Sequence, residues 1–143
     1  MQISAILKNK GPSVATIGQD ETVARAVAEL AHHNVGALVV SSDGRTIDGI
    51  LSERDVTRAL HSLGSALLDR PVRTIMSSDL RTVSPTDEVE DLAVMMTEHR
   101  VRHVPVVKDG ALAGIVSIGD IVKSRIEELE QDREALFKYI GAR

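Results

Sequence analysis

The strongest constraint on the fold is an internal repeat that runs through most of the 143-residue chain. Residues 49–55 read GILSERD and residues 114–120 read GIVSIGD. Both have the form glycine, two aliphatic residues, serine, two variable residues and aspartate. In each, an apolar strand runs directly into the first turn of a predicted helix, where backbone N–H groups can hold a phosphate. Two copies therefore predict a pseudo-two-fold pair with two related sites.

The repeat stays in register outside these motifs. A shift of 66 residues places Thr16 on Thr82 and the Asp-Gly turn at 43–44 on the one at 109–110. Apolar spacing and turn signals predict the same order of elements, β-α-β-β-α, in both copies. Predicted strands lie at 37–40, 47–51, 104–107 and 112–116, with helices near 53–63 and 118–136 and very short first strands at Thr16-Ile17 or Thr82-Val83. Ser84-Pro85 predicts the start of a helix in the second copy.

The predicted fold class is α+β, an α/β sandwich of two pseudo-symmetric β-α-β-β-α motifs packed sheet to sheet. A short N-terminal helix and a long C-terminal helix flank the pair. The expected boundaries are 1–66 for the first motif with the N-terminal helix, 67–79 for a joining segment, 80–126 for the second motif and 127–143 for a C-terminal helical extension. The joining segment is short and apolar, so the two motifs should pack directly.

Composition excludes several functions. The formal net charge of −4 disfavours a general nucleic-acid binder, and the aromatic residues are only Phe137 and Tyr139, too few for a base-stacking platform. Aliphatic side chains and backbone groups would have to hold an adenine. There is no cysteine for thiol catalysis or disulfides, no apolar run of membrane-spanning length and no recognisable secretory signal. A cytoplasmic protein without nucleic-acid or membrane partners is expected.

The pattern resembles the cystathionine β-synthase (CBS) domain family. The likeness rests on the opening threonines, the HVPVV run at 103–107, the Asp-Gly turns and the two glycine-to-aspartate motifs, and it extends over residues 1–126. Two such copies form what is called a Bateman module. The resemblance implies a non-catalytic regulatory module that binds an adenosyl ligand and signals to an effector protein, with no required cofactor. The implied ligands are AMP, ADP, ATP or NAD(H), with S-adenosylmethionine as an alternative.

The resemblance also implies which residues bind. In such pairs the motif aspartate accepts hydrogen bonds from ribose hydroxyls, the motif serine faces the phosphate, and strand residues of the other copy line the adenine pocket. Site one is thereby expected to contain Thr16, Ile17, Val35, Ala37, Arg102, His103, Ser117 and Asp120. Site two is expected to contain Ser52, Arg54, Asp55, Thr82, Val83 and Val101. No catalytic residue and no metal ligand is expected.

The two sites are not expected to be chemically equal. Copy one has Gly36-Ala37 where copy two has Arg102-His103, so copy one lacks the cation that by analogy meets a phosphate. Arg54 is present only in the first motif and is assigned to site two. Ligand choice is therefore expected to depend on the differences between the copies.

Each candidate also has an explanation that needs no ligand. A serine followed three residues later by aspartate at a helix start is a capping box, and the opening threonines suit the start of a strand. Arg100 and Arg102 suit a solvated helix end. Capping and ligand binding are compatible, because a capped helix still has free N–H groups.

Two other classes of function remain open from the sequence. One is an enzyme that acts on a nucleotide, although no nucleophile, base and orienting group are recognisable. The other is a structural dimer with vacant sites. Leu129, Arg133, Leu136 and Ile140 recur at spacings of three or four residues. This spacing predicts either a frayed amphipathic tail or a helix that packs on a second protomer, and a homodimer is expected.

Overall fold

The helices and strands follow the order that the repeat predicts. The computed structural model describes residues 1–11 and 13–141; Pro12, and Ala142 and Arg143 of the predicted C-terminal extension, lie outside the described residues. The first half contains α1 (Ile3–Lys10), β1 (Thr16–Ile17), α2 (Val23–His33), β2 (Ala37–Val40), β3 (Gly49–Ser52) and α3 (Glu53–Leu63). Two 3₁₀ helices follow, at Gly64–Asp69 and Val72–Thr74. The second half contains α4 (Val89–His99), β4 (His103–Lys108), β5 (Ala111–Ser117) and α5 (Ile118–Gly141).

The strands form two small sheets, one in each copy. In copy one, β1 pairs in parallel with β2, and β2 pairs antiparallel with β3. In copy two, β4 pairs antiparallel with β5. The predicted first strand of copy two is a single parallel bridge between Val83 and Val106, in which Val107 N–H donates to the Val83 carbonyl at 2.8 Å. The predicted mixed helix-and-strand fold is confirmed.

The predicted helix start at Ser84-Pro85 is wrong. Helix α4 begins at Val89, and Ser84 instead opens a turn in which Asp87 N–H donates to the Ser84 carbonyl at 3.0 Å. The carbonyls of Pro85 and Asp87 accept hydrogen bonds from the N–H groups of Ser4 and Ile3, so docking of the N-terminus holds this stretch outside the helix.

Each hydrophobic core is completed by the segment that precedes the other copy. The joining segment contributes Val72, Ile75 and Met76 to the core of copy one. Helix α1 contributes Ile3, Ile6 and Leu7 to the core of copy two. The sequence-based grouping of α1 with the first motif follows chain order, whereas the side chains of α1 pack on the second motif.

The two segments dock through equivalent backbone hydrogen bonds. Ile3 N–H donates to Asp87 O at 2.9 Å, and Val72 N–H donates to Glu21 O at 2.8 Å. Isolated bridges join Gln2 to Glu88 and Thr22 to Pro71 in the same way. Helix α1 and the 3₁₀ helix at Val72–Thr74 therefore hold pseudo-symmetric positions, although one is a full α-helix and the other a single turn.

The glycine that opens each motif makes room for these segments. A Cβ atom on Gly49 would lie 2.8 Å from Met76 Sδ and 2.9 Å from the Ser77 carbonyl oxygen. A Cβ atom on Gly114 would lie 2.5 Å from Leu7 Cδ2, with only Leu7 side-chain atoms nearby. Close approach of the docked segment therefore explains why both motifs begin with glycine.

The two glycines are expected to tolerate alanine differently. Gly49→Ala should lower the free energy of unfolding by about 1–3 kcal/mol, because the new methyl group meets backbone that can move only with the joining segment. Gly114→Ala should cost less, since Leu7 can change rotamer. Urea denaturation of both variants and the wild type measures the difference. A loss at Gly114 equal to or larger than that at Gly49 would contradict this explanation.

Candidate functional site

A cavity of about 370 Å³ lies where the two copies meet. Its walls come from the β3–α3 junction of copy one, from the joining segment and from the loop between α4 and β4 of copy two. The site two residues Ser52, Arg54, Asp55 and Val101 line it. The fold thus brings four of the six residues expected for site two to one cavity.

The cavity is rich in arginine. The arginines that line it are Arg54, Arg58, Arg81, Arg100 and Arg102, against the carboxylates Glu53, Asp55 and Asp79. None of these five arginines forms a salt bridge with another residue in the described part of the chain. The chain as a whole has a formal charge of −4. Unpaired guanidinium groups that converge in an acidic protein favour an anionic ligand, above all a phosphate.

The motif serines and aspartates cap their helices. Asp55 N–H donates to Ser52 Oγ at 3.2 Å, and Ser52 N–H donates to Asp55 Oδ2 at 2.9 Å. Ser117 and Asp120 make the equivalent pair of bonds at 3.1 and 2.8 Å. The capping explanation is therefore confirmed in both copies. In copy one the cap uses only Oδ2, so Asp55 Oδ1 accepts no hydrogen bond from any described residue.

Asp120 differs from Asp55 because a lysine covers it. The Lys10 ammonium donates to Asp120 Oδ2 and to the Ile115 carbonyl oxygen, both at 2.8 Å. Burial opposes ionisation of this carboxyl, but the hydrogen bond from Lys10, the bonds from Ser117 and the charge of Lys10 outweigh it and lower the pKa of Asp120. The two motif aspartates therefore have different surroundings on the same framework.

Close packing explains why copy one has glycine where copy two has Arg102. A Cβ atom on Gly36 would lie 3.1 Å from both Glu53 Oε1 and His103 Nε2. The sequence comparison indicates only that a cation is missing at position 36. In the structure, the side chains of Glu53 and His103 pack against the backbone of Gly36. Burial lowers the pKa of His103; Glu53 and Asp120 oppose this shift, whereas Lys10 and Arg102 add to it. The lowered pKa favours the neutral form of this imidazole.

The other expected site residues are spread more widely. Arg102 and His103, expected in site one, line the cavity that contains Asp55. Thr82 is exposed and Val83 packs in the core of copy two, and neither lines this cavity.

The strand residues expected in site one lie mainly in copy one. Ile17 is buried in the core there, and Thr16 is half-buried beside it in β1. Ala37 is buried opposite Ser52 in the β2–β3 pair, and Val35 is exposed beyond the end of α2.

Sequence reasoning missed several cavity arginines and Lys10. Arg58 lies four residues after Arg54 on α3, a spacing that puts both on one helix face and could have identified it. Arg100 ends α4 with a left-handed backbone (φ 53°), as Asn34 ends α2 (φ 52°), which directs the chain back toward the cavity. Lys10 had no sequence signal, because the likeness between α1 and the joining segment is visible only in their docking.

Residues 1–11 and 13–141 contain neither a cluster of metal ligands nor a membrane-spanning helix. No group of three or more histidine, aspartate or glutamate side chains in these ranges is arranged to hold a metal ion. None of the helices that they form combines the length and the apolar character needed to cross a membrane.

A double-mutant cycle on Lys10 and Asp120 tests the asymmetry without a ligand. Lys10→Met, Asp120→Asn and the double variant should give a coupling energy of at most about 1 kcal/mol at pH 7, because both side chains are partly exposed. The folded pKa of Asp120 lies below its ordinary value of 3.8, so the coupling is present above that value and is lost as the pH falls through the folded pKa. Urea denaturation across this range measures it; a pH-independent coupling would contradict the ion pair.

Comparison with known proteins agrees with the geometry. The model of the CBS domain family matches residues 10–62 and 72–127. The mitochondrial CBS domain-containing protein CBSX3 of Arabidopsis thaliana is 37% identical over 146 residues, which cover 96% of this chain and 71% of that protein.

Solved structures give the same result. A CBS-domain containing protein from Agrobacterium tumefaciens is 38% identical with a TM-score of 0.84, covering 87% of this chain and 99% of that one. A CBS domain protein from Pyrobaculum aerophilum complexed with AMP is 34% identical with a TM-score of 0.74, covering 84% of this chain and 89% of that one. With two matched repeats and a shared fold, the chain belongs to the CBS domain family as a tandem CBS pair.

Proposed function

We propose that this CBS pair is a regulatory module that binds an adenosine phosphate, such as AMP, in the cavity at Asp55. The observation that carries the proposal is that one cavity is lined by a motif aspartate and by five arginines that form no salt bridge with any described residue. The AMP complex of the Pyrobaculum aerophilum relative supports the choice of ligand.

The cavity offers a separate group for each part of such a ligand. The free Oδ1 of Asp55 can accept hydrogen bonds from ribose hydroxyls, since capping uses only Oδ2. The arginines can bind the phosphate in a bidentate manner. Ile50, Val101 and Pro105 give an apolar wall for the adenine. ATP and NAD(H) fit the same scheme, whereas the cationic sulfonium of S-adenosylmethionine fits an arginine-rich cavity less well.

Regulation follows from where the cavity lies. A ligand held by α3 of one copy and by the α4–β4 loop of the other contacts both halves at once, so it favours the arrangement of the halves that it fits best. An effector protein that distinguishes this arrangement from others would respond to the bound ligand. A catalytic role is disfavoured because the Ser52 hydroxyl and the Asp55 carboxylate are both engaged in capping α3.

Asp55→Ala is expected to weaken AMP binding roughly 10- to 100-fold through lost hydrogen bonds to the ribose. Asp120→Ala is the matched control, because it removes the equivalent capping contact from the other copy. Isothermal titration calorimetry with AMP and with adenosine measures both variants. Equal loss in the two variants, or unchanged affinity in a folded Asp55→Ala variant, would refute the assignment; adenosine binding as tight as AMP would refute the phosphate role of the arginines.

We further propose that the chain forms a homodimer through α5. This helix has 24 residues, of which only Ile121 is buried. The large apolar side chains on it that are at least half exposed in the single chain include Val122, Ile126, Leu129, Leu136, Phe137 and Ile140. Most follow one another at steps of three or four residues, which makes a stripe along one side of the helix. An exposed stripe of this length is typical of a protein–protein interface.

Deleting residues 127–143 should reduce the mass in solution from two chains to one, because most of this stripe is removed. Light scattering after size-exclusion chromatography measures the mass, and circular dichroism checks that the rest of the chain stays folded. As a matched pair, Leu129→Arg should also dissociate the dimer, whereas Glu127→Arg on another face should not. An unchanged mass after the deletion would contradict this interface.

A further inference from the structure

The two docked segments, α1 and the joining segment, hold equivalent positions up to Leu7 and Met76 and differ in conformation after these residues. Leu7 and Met76 pack against the motif glycines of the two copies at equivalent positions. After Met76 the joining segment is extended, and Ser77 exchanges two hydrogen bonds with Ile50, at 2.8 and 2.9 Å. After Leu7, however, α1 continues as a helix to Lys10. The two copies therefore present different groups to the next part of the framework.

Lys10 takes the place that a backbone N–H group holds in the other copy. The Ile50 carbonyl accepts a hydrogen bond from Ser77 N–H, and its repeat equivalent, the Ile115 carbonyl, accepts one from the Lys10 ammonium. The Ser77 N–H donates to the Ile50 carbonyl, whereas the Lys10 ammonium donates to Asp120 Oδ2 in addition to the Ile115 carbonyl. The side chains of Lys10 and Asp120 are only 33% and 21% exposed, so the pair is partly shielded from solvent.

We propose that Lys10 closes site one by occupying Asp120, so that each chain binds one nucleotide, at Asp55. At Asp120 the ammonium donates only to Oδ2, so Oδ1 is as free of described partners as Oδ1 of Asp55. The ammonium lies, however, between Ile115 and Asp120, and their repeat equivalents Ile50 and Asp55 both line the cavity of the other site. A ribose at Asp120 therefore meets a cation in the space that is open at Asp55. This inference rests on the proposed function, and it names the residue that decides which of the two repeated sites is available.

The test counts AMP molecules bound per chain by isothermal titration calorimetry on the full-length protein. Wild type should bind one, and Lys10→Met should bind two, because removing the ammonium frees Asp120. Lys8→Met is the matched control: Lys8 lies two residues earlier on the exposed side of α1 and should leave the count at one. In the Lys10→Met background, Asp120→Ala should return the count to one, and Asp120→Asn makes the same comparison if the alanine variant does not fold.

The outcomes separate this inference from the proposed function. One AMP in both wild type and Lys10→Met overturns the role of Lys10 and leaves nucleotide binding intact. Two AMP molecules in wild type, with weaker binding in Lys10→Met, would make Lys10 a ligand contact and overturn its closing role. No AMP bound to either protein overturns the proposed function and this inference together.

Discussion

The structure depends on the exchange of docking segments between its two repeats. Ile3 from α1 and Val72 from the joining segment are fully buried, each in the core of the copy that is not next after it in the chain. Burial of such a side chain contributes about 1.5–3 kcal/mol. Neither core is complete without the segment before the other repeat, so the two copies stabilise each other. This mutual dependence also sets the relative position of the copies, and hence the shape of the cavity between them.

One framework gives the two motif aspartates different surroundings because small changes occur at equivalent positions. Both motifs use a serine and an aspartate to cap a helix with the same pattern of hydrogen bonds. Beyond the cap, one extra helical turn brings Lys10 to Asp120, whereas the extended Ser77 leaves Asp55 open. A difference in the local conformation of a docked segment, rather than a change in the motif, thus makes the repeats unequal.

The charge distribution shows why total composition says little about a binding site. The chain is acidic overall, yet five arginines from α3, the start of the second copy and the α4–β4 loop line one cavity without a salt bridge to any described residue. Attraction at the cavity depends on these nearby charges more than on the net charge, because exposed charges farther away are screened within about 10 Å at ordinary salt. Such a cavity can bind a phosphate in a protein of negative net charge.

The sequence by itself determined the repeat, the order of strands and helices, the capping motifs and the CBS pair, because spacing of apolar residues and turn signals are local properties of the chain. Its resemblance to the CBS family also grouped Ser52, Arg54, Asp55 and Val101 in one expected site, and these four residues line one cavity. Only the tertiary structure decided which segment completes which core, that Arg102 and His103 line the cavity with Asp55, and that Lys10 holds Asp120. These contacts join residues far apart in sequence, up to 110 positions for Lys10 and Asp120, and no local pattern specifies such a pairing.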